Sequence, residues 1–296
     1  MIRLGIIGFS EGNGHPYSWS AICNGYDSIL METCGFPVIP RYLKREKFPE
    51  NFLCDRMNVS AIWTQNVELS NKIANSCKIQ KIVTHLSQIV DDVDGILLAR
   101  DDAANHIEVL KTIMPSGLPI YIDKPIALNR RDLETVLAMA TNKNQIFTCS
   151  AFRFSEKLKI PEEFKADLQD NFSIYAEIPK SWDKYSIHLI EPMLQMIPEN
   201  LKIVRYQKRQ HSHSKTVLRI LYEKNIKVEL VTTGELTGDI FYRIRKQNID
   251  LILRPDDTFS SFKAALEAFH HSITKKVSMI DIKQTKQIVE IIEAGR

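Results

Sequence analysis

The chain has 296 residues, 44% hydrophobic and 25% charged, with a formal net charge of +3. That length accommodates two cores, the small dispersed charge argues against a nucleic-acid partner, and no apolar run approaches the roughly 20 residues of a membrane span. Five widely spaced cysteines (Cys23, Cys34, Cys54, Cys77, Cys149) form no C-x-x-C pair, which suits buried thiols in a reducing, cytoplasmic setting.

The opening MIRLGIIGF lacks the cleavage site of a signal peptide and reads as a first strand, Ile2 to Ile7. It runs into Gly8-Phe9-Ser10-Glu11-Gly12-Asn13-Gly14-His15, where a dinucleotide-binding domain places its phosphate loop. Counted from Gly8, the second and third glycine positions fall on Ser10 and Asn13, while Gly12 and Gly14 lie out of phase. Such a loop still offers backbone N–H groups to a phosphate, and a plain glycine-rich turn would read the same way. A helix follows from about Pro16 to Cys23. Gly35 to Met57, with three prolines and the charged run Arg41 to Lys47, delays the next strand and reads as an insertion. It would cover the site, contact a partner subunit or form a surface excursion.

Val59 to Trp63 is the second strand, ending in Thr64-Gln65-Asn66. Thr64 stands where Asp or Glu commonly bonds a ribose hydroxyl, and no nearby Arg favours a 2′-phosphate, so NAD and NADP both stay open. A helix at Glu68 to Ser76, a strand at Lys81 to Val83 and a helical turn at Ser87 to Val90 come next. The fourth strand is Asp94 to Ala99, with Arg100-Asp101-Asp102 at its carboxyl end. After a helix at Ala104 to Met114, the apolar run Pro119 to Ile122 stops at Asp123-Lys124-Pro125. In an open α/β sheet ligands collect outside the carboxyl ends of strands, so Lys124 points at whatever binds there, unless it is merely a solvated loop lysine. A helix from Arg130 and a strand at Gln145 to Ser150 complete a βαβ alternation that predicts a doubly wound parallel sheet, an α/β fold.

Beyond Ala151 strands dominate, at about 172–178, 203–207, 217–222, 226–232, 240–245 and 249–253. Several alternate apolar and charged residues, which predicts an open, mostly antiparallel sheet in an α+β domain. Helices at 259–274, with an apolar stripe at Phe262, Leu266, Phe269 and Ile273, and at 282–294 close the chain. Lys184-Tyr185-Ser186-Ile187-His188-Leu189-Ile190-Glu191 interrupts the strands, and helical spacing puts Lys184, His188 and Glu191 near one face. The basic run Arg205 to Lys215 reads as a solvated strand and turn. Its His211 and His213 have no third ligand in view, so no metal is assigned.

These segments, from GIIGF through VDGILLAR and IYIDKPIAL to AFRFS at Ala151 and the terminal IVEIIEAGR, resemble the glucose-fructose oxidoreductase/inositol dehydrogenase (Gfo/Idh/MocA) family over nearly the whole chain. The resemblance implies a Rossmann domain over residues 1–125, with the insertion at about 35–57, and a substrate-binding and oligomerisation domain over 126–296, with the last helix as a possible return to the first. It implies NAD or NADP, hydride transfer to or from a carbinol carbon of a sugar, sugar acid or nucleotide sugar, and a homodimer or homotetramer. The family's E-K-P motif falls on Asp123-Lys124-Pro125, with Asp for Glu. Its Asp and His four apart fall on Lys184 and His188, with Lys for Asp and Ser186 for the intervening glycine. Lys124 and His188 are then the catalytic pair, His188 as general base and Lys124 beside the same oxygen. Lys184, Tyr185, Glu191 and Arg153 are expected to bind substrate, and Lys184 would receive an acidic group on it. Gly8, Phe9, Ser10, Gly12, Asn13, Thr64, Gln65, Ala99, Arg100, Asp123 and Lys124 are expected to hold the cofactor. The alternative, motivated by the altered glycine loop, Thr64 and Lys184, is a non-catalytic ligand-binding or regulatory protein on the same fold.

Overall fold

Ile2–Ile7 pairs with two parallel strands because its stretch from Leu4 to Ile7 is apolar on both faces and buried. In a computed structural model that describes residues 1–210 and 215–296, this β1 lies mid-sheet. The other strands of the sheet are β2 (Met57–Trp63), β3 (Lys81–Ile82), β4 (Gly95–Leu98), β5 (Ile120–Ile122) and β6 (Ile146–Phe147). All pairings are parallel, in the order β3-β2-β1-β4-β5-β6. The order reverses between β1 and β4, so the crevice for a ligand opens at the carboxyl ends of those two strands. Helices α1 (His15–Asn24), α2 (Ser28–Glu32), α3 (Val38–Leu43), α4 (Val67–Ser76), α5 (His106–Ile113) and α6 (Arg130–Met139) connect the strands. Asn66 caps α4 by accepting the Glu68 and Leu69 N–H groups, and Asp27 caps α2 likewise.

The stretch expected to be an insertion is structural. It carries α3, and Ile39, Leu43, Phe52 and Leu53 are buried in the first unit's core, while Tyr42 donates to Ser18 Oγ at 2.5 Å. Pro37 and Pro49 lie in turns and Pro40 within α3, between buried apolar residues. Each such side chain, once buried, contributes roughly 1.5–3 kcal/mol.

Two units emerge from the contacts within the chain. The first is Met1–Ala127 with Arg131–Cys149 and Phe262–Ile282; the second is Leu128–Arg130 with Ser150–Ser261 and Lys283–Arg296. The first unit therefore runs past Pro125 to include β6, and it takes back residues 262–282 rather than the last helix.

The second unit holds α7 (Glu162–Lys165), β7 (Ser173–Ile178), α8 (Trp182–Tyr185), α9 (Ile187–Met196), β8 (Ile203–Gln210), β9 (Thr216–Tyr222), β10 (Ile226–Thr232), β11 (Phe241–Lys246) and β12 (Ile249–Leu253). The chain then forms α10 (Thr258–Lys275) and ends in α11 (Ile282–Ala294). The sheet order is β12-β11-β7-β10-β9-β8, antiparallel except for β7 against β10. One face packs Ile174, Ala176, Leu218, Ile220, Val228, Leu230 and Ile244 into a core with Leu189, Met193, Ile288 and Ile292. His211 and His213 lie outside the described residues. Among the described residues no helix is long and apolar enough to cross a membrane.

Candidate active site

In the first unit, polar side chains from three strand ends converge at the sheet's switch point. Asp123, directly after β5, is fully buried. Its Oδ2 accepts Asn13 Nδ2 at 2.8 Å and lies 2.6 Å from His15 Nδ1, and its Oδ1 accepts the Lys124 N–H at 2.8 Å. Burial alone would raise the Asp123 carboxyl, but His15, Lys124 and Asn13 outweigh it and hold the group well below the usual carboxylate range. Lys124 is 3% exposed, with Nζ 3.8 Å from Asp101 Oδ2. Asp101, after β4, accepts Ser10 Oγ at 2.7 Å and donates its own N–H back to that oxygen at 3.1 Å. A stack of rings supports the cluster from below: His15 on Trp19, and Trp19 on Tyr121 of β5, at 4.8 and 4.6 Å between centroids. His106, fully buried on α5, has one ring nitrogen 2.7 Å from the Arg100 carbonyl and the other 3.1 Å from that of Ile126, bracing the loops after β4 and β5.

In the second unit, Ser150 and α9 build another buried polar cluster. Ser150 Oγ lies 2.7 Å from His188 Nδ1 and accepts the Phe152 N–H at 3.2 Å. The Phe152 and Tyr185 rings flank the imidazole at 5.1 and 5.7 Å, and Tyr242 donates to the His188 carbonyl at 2.6 Å. Glu191, 3% exposed, accepts the Ser150 N–H and faces Arg153 Nη1 at 3.4 Å, while Arg153 Nη2 donates to Gln284 at 2.5 Å. Tyr185 accepts from Lys180 Nζ at 2.6 Å. Lys184 sits on α8, one short helix before His188, and is half-buried.

Burial is the largest influence on Glu191 and pushes its carboxyl up to about 7, against the lowering effects of Arg153 and the Ser150 N–H. A raised folded value means that the native state binds the proton more readily than the unfolded chain, so stability falls as pH rises from the unfolded value, 4.5, through about 7. Glu191→Gln keeps an acceptor for the Ser150 N–H and removes this titration. Thermal melts between about pH 5 and pH 8 are expected to show a declining Tm for the native protein and a flatter profile for the variant.

Residues 40–150 match the family model described as an oxidoreductase family with an NAD-binding Rossmann fold, Gfo/Idh/MocA. Over that segment the chain is similar to the Gfo/Idh/MocA family. The sequence matches no curated protein significantly. Among solved structures, the fold is similar to that of myo-inositol 2-dehydrogenase from Lactobacillus plantarum, at 11% identity over 99% of this chain and 95% of that one, with a TM-score of 0.74. It is similar also to UDP-N-acetylglucosamine 3-dehydrogenase from Acidithiobacillus ferrooxidans, at 12% identity over 100% and 96% of the chains, TM-score 0.72. A third likeness is scyllo-inositol dehydrogenase from Lactobacillus casei, at 13% over 99% and 94%, TM-score 0.73.

A Gfo/Idh/MocA Rossmann domain takes NAD or NADP, and the loop at Gly8 fits a dinucleotide in an unusual way. Both residues at the missing glycine positions turn their side chains inward, Ser10 to Asp101 and Asn13 to Asp123, and both are buried. The mouth of the loop therefore stays clear despite the lost glycines. Gly12, at φ +77°, has no atom within 4 Å of where a Cβ would stand, and Gly8 has Pro16 only 2.9 Å from that point. Residues 11–12 would thus meet a phosphate through their backbone. The first turn of α1 contributes little, because Asn13 Oδ1 takes the His15 N–H, Pro16 has none, and the Tyr17 N–H donates to Gly14.

The structure brings Gly8, Ser10, Asn13, Asp123 and Lys124 together, and it sets Gln65 against the same loop by two hydrogen bonds to the Phe9 peptide, at 2.7 and 2.8 Å. Thr64 is buried, its hydroxyl donating to the Asn66 carbonyl at 2.6 Å. Ala99 is buried, and Arg100 is paired with Asp102 at 2.5 Å. Sequence reasoning missed His15, Asp101, His106 and Ser150. His15 ends the glycine loop and Asp101 ends β4, positions that point to the site; nothing local marks His106 or Ser150.

Proposed function

We propose that the protein is an NAD(P)-dependent dehydrogenase that transfers a hydride between the nicotinamide and a carbinol carbon of a sugar, sugar acid or nucleotide sugar. The observation that carries this reading is Lys124, a lysine sequestered beside Asp101 at the carboxyl ends of β4 and β5, where a sheet of this order receives its ligand. The bound nicotinamide supplies the hydride acceptor or donor. In the oxidative direction His188 takes the hydroxyl proton, its ring oriented by Ser150 through Nδ1. Lys124 stabilises negative charge that develops on a substrate oxygen, and its own buried surroundings strengthen that effect. Lys184 engages an acidic group of the substrate. Small-molecule dehydrogenases among the similar folds support the substrate class.

The alternative, a ligand-binding protein without catalysis, draws on the internally satisfied first turn of α1. Titration with NADH and NADPH, followed by nicotinamide fluorescence and tryptophan quenching, separates the two. Saturable binding of either cofactor below about 1 mM is the expected result. Absence of binding by both at that concentration overturns the dehydrogenase reading.

A further inference from the structure

Three strand ends hold the phosphate loop, each through one side chain. Asp101, after β4, holds Ser10, and Asp123, after β5, holds Asn13. Gln65, after β2, holds Phe9 from both sides: its Oε1 accepts the Phe9 N–H at 2.7 Å and its Nε2 donates to the Phe9 carbonyl at 2.8 Å. The β1–β2 ladder reaches Ile7 opposite Trp63, and the Gly8 N–H still donates to the Trp63 carbonyl at 3.0 Å. A primary amide carries the donor and the acceptor of a peptide, so Gln65 extends this ladder by one step with its side chain. The neighbouring groups are committed as well. The Thr64 hydroxyl donates to the Asn66 carbonyl at 2.6 Å and lies 2.8 Å from Ser70 Oγ, and Asn66 Oδ1 accepts the Glu68 and Leu69 N–H groups at the start of α4.

The end of β2 beside the phosphate loop is where the adenosine ribose of a dinucleotide lies. A carboxylate there bonds the 2′-hydroxyl and repels a 2′-phosphate, and an arginine nearby does the reverse. Residues 64–66 carry neither charge. The N-terminus of α4 is no phosphate site in their place, because Asn66 caps it. Resting on the dehydrogenase reading, we propose that Gln65 sets the cofactor specificity of this domain: a neutral amide turned onto the loop leaves the 2′ position unsorted, so NAD and NADP bind alike. Gln65 is exposed, so a charge placed at that position is not a buried charge. Its clamp on Phe9 also shapes the loop, and that contribution acts on both cofactors equally because they share the pyrophosphate.

The test is titration of the full chain with NADH and with NADPH, followed by nicotinamide fluorescence, in the native protein and in variants checked for folding by thermal melting. Native dissociation constants for the two are expected to agree within about tenfold. Gln65→Glu, which keeps an acceptor for the Phe9 N–H, is expected to shift their ratio at least about tenfold toward NADH, and Gln65→Arg as far toward NADPH. Gln65→Ala, which removes the clamp and adds no charge, is expected to weaken both while leaving their ratio within about threefold of native. A native preference beyond about tenfold, or a ratio that neither charged variant moves that far, overturns the proposal. If that native preference is for NADH and Glu68→Gln abolishes it, the exposed carboxylate in the first turn of α4 is the selector instead. Binding of both cofactors with an unmoved ratio sinks this proposal alone, whereas binding of neither sinks the dehydrogenase reading on which it rests.

Discussion

Lys124→Met is expected to lower kcat of the dehydrogenase by about 10²–10³-fold while leaving nicotinamide affinity within a few-fold of the native protein. Methionine preserves the length of the side chain and removes its charge, so loss of turnover reports the electrostatic role rather than a cavity. The substitution also removes the buried cation 3.8 Å from the Asp101 carboxylate, and breaking a buried pair from one side typically costs about 3–5 kcal/mol. Lys124→Met/Asp101→Asn removes both charges, recovers most of that stability and stays catalytically impaired. Steady-state kinetics beside urea denaturation checks this: if Lys124→Met retains native kcat, Lys124 is a structural ion-pair residue only.

The second large effect is on stability. Asp123→Ala removes the acceptor of the buried Asn13 amide and Lys124 N–H, takes away the partner 2.6 Å from the part-buried His15 ring, and removes the anion beside Lys124. A loss of about 3–5 kcal/mol in unfolding free energy is expected, together with a large loss of cofactor affinity, because Asn13 and His15 are both tied to the phosphate loop. The pH dependence has a defined sign. The Asp123 carboxyl is held below its unfolded value, so its contribution is present above that value, 3.8, and is lost as pH falls toward the depressed folded one. The native protein therefore loses stability in acid over a range in which Asp123→Ala shows a shallower decline, measured by denaturant midpoints at stepwise lower pH. A variant within about 1 kcal/mol of native would contradict the hydrogen-bond network.

The doubly wound sheet was legible because each strand is a short apolar run ended by a charged or glycine-bearing turn, as at IYIDKP and IIGFSEG. The strands of the second domain were legible from alternation, as in Lys227-Val228-Glu229-Leu230 of β10. The packing of residues 35–57 was not legible because prolines and charges dominate any local window, whereas Ile39, Leu43, Phe52 and Leu53 are buried by neighbours elsewhere in the chain. Helical spacing correctly placed His188 and Glu191 on one element but joined Lys184 to them, where the chain forms two helices.

By itself the sequence determined element type, the identity of the parallel sheet, and Lys124 at the carboxyl end of β5, because periodicity and breakers act over a few residues. Only the tertiary structure decided which polar groups meet. Ser10 bonds Asp101 across 91 residues of sequence, Asn13 bonds Asp123 across 110, and the Ser150 N–H reaches Glu191 across 41. It likewise decided that β7 and β10 run parallel. Those juxtapositions depend on strand order and register, which burial of the whole sheet face selects and no local window contains.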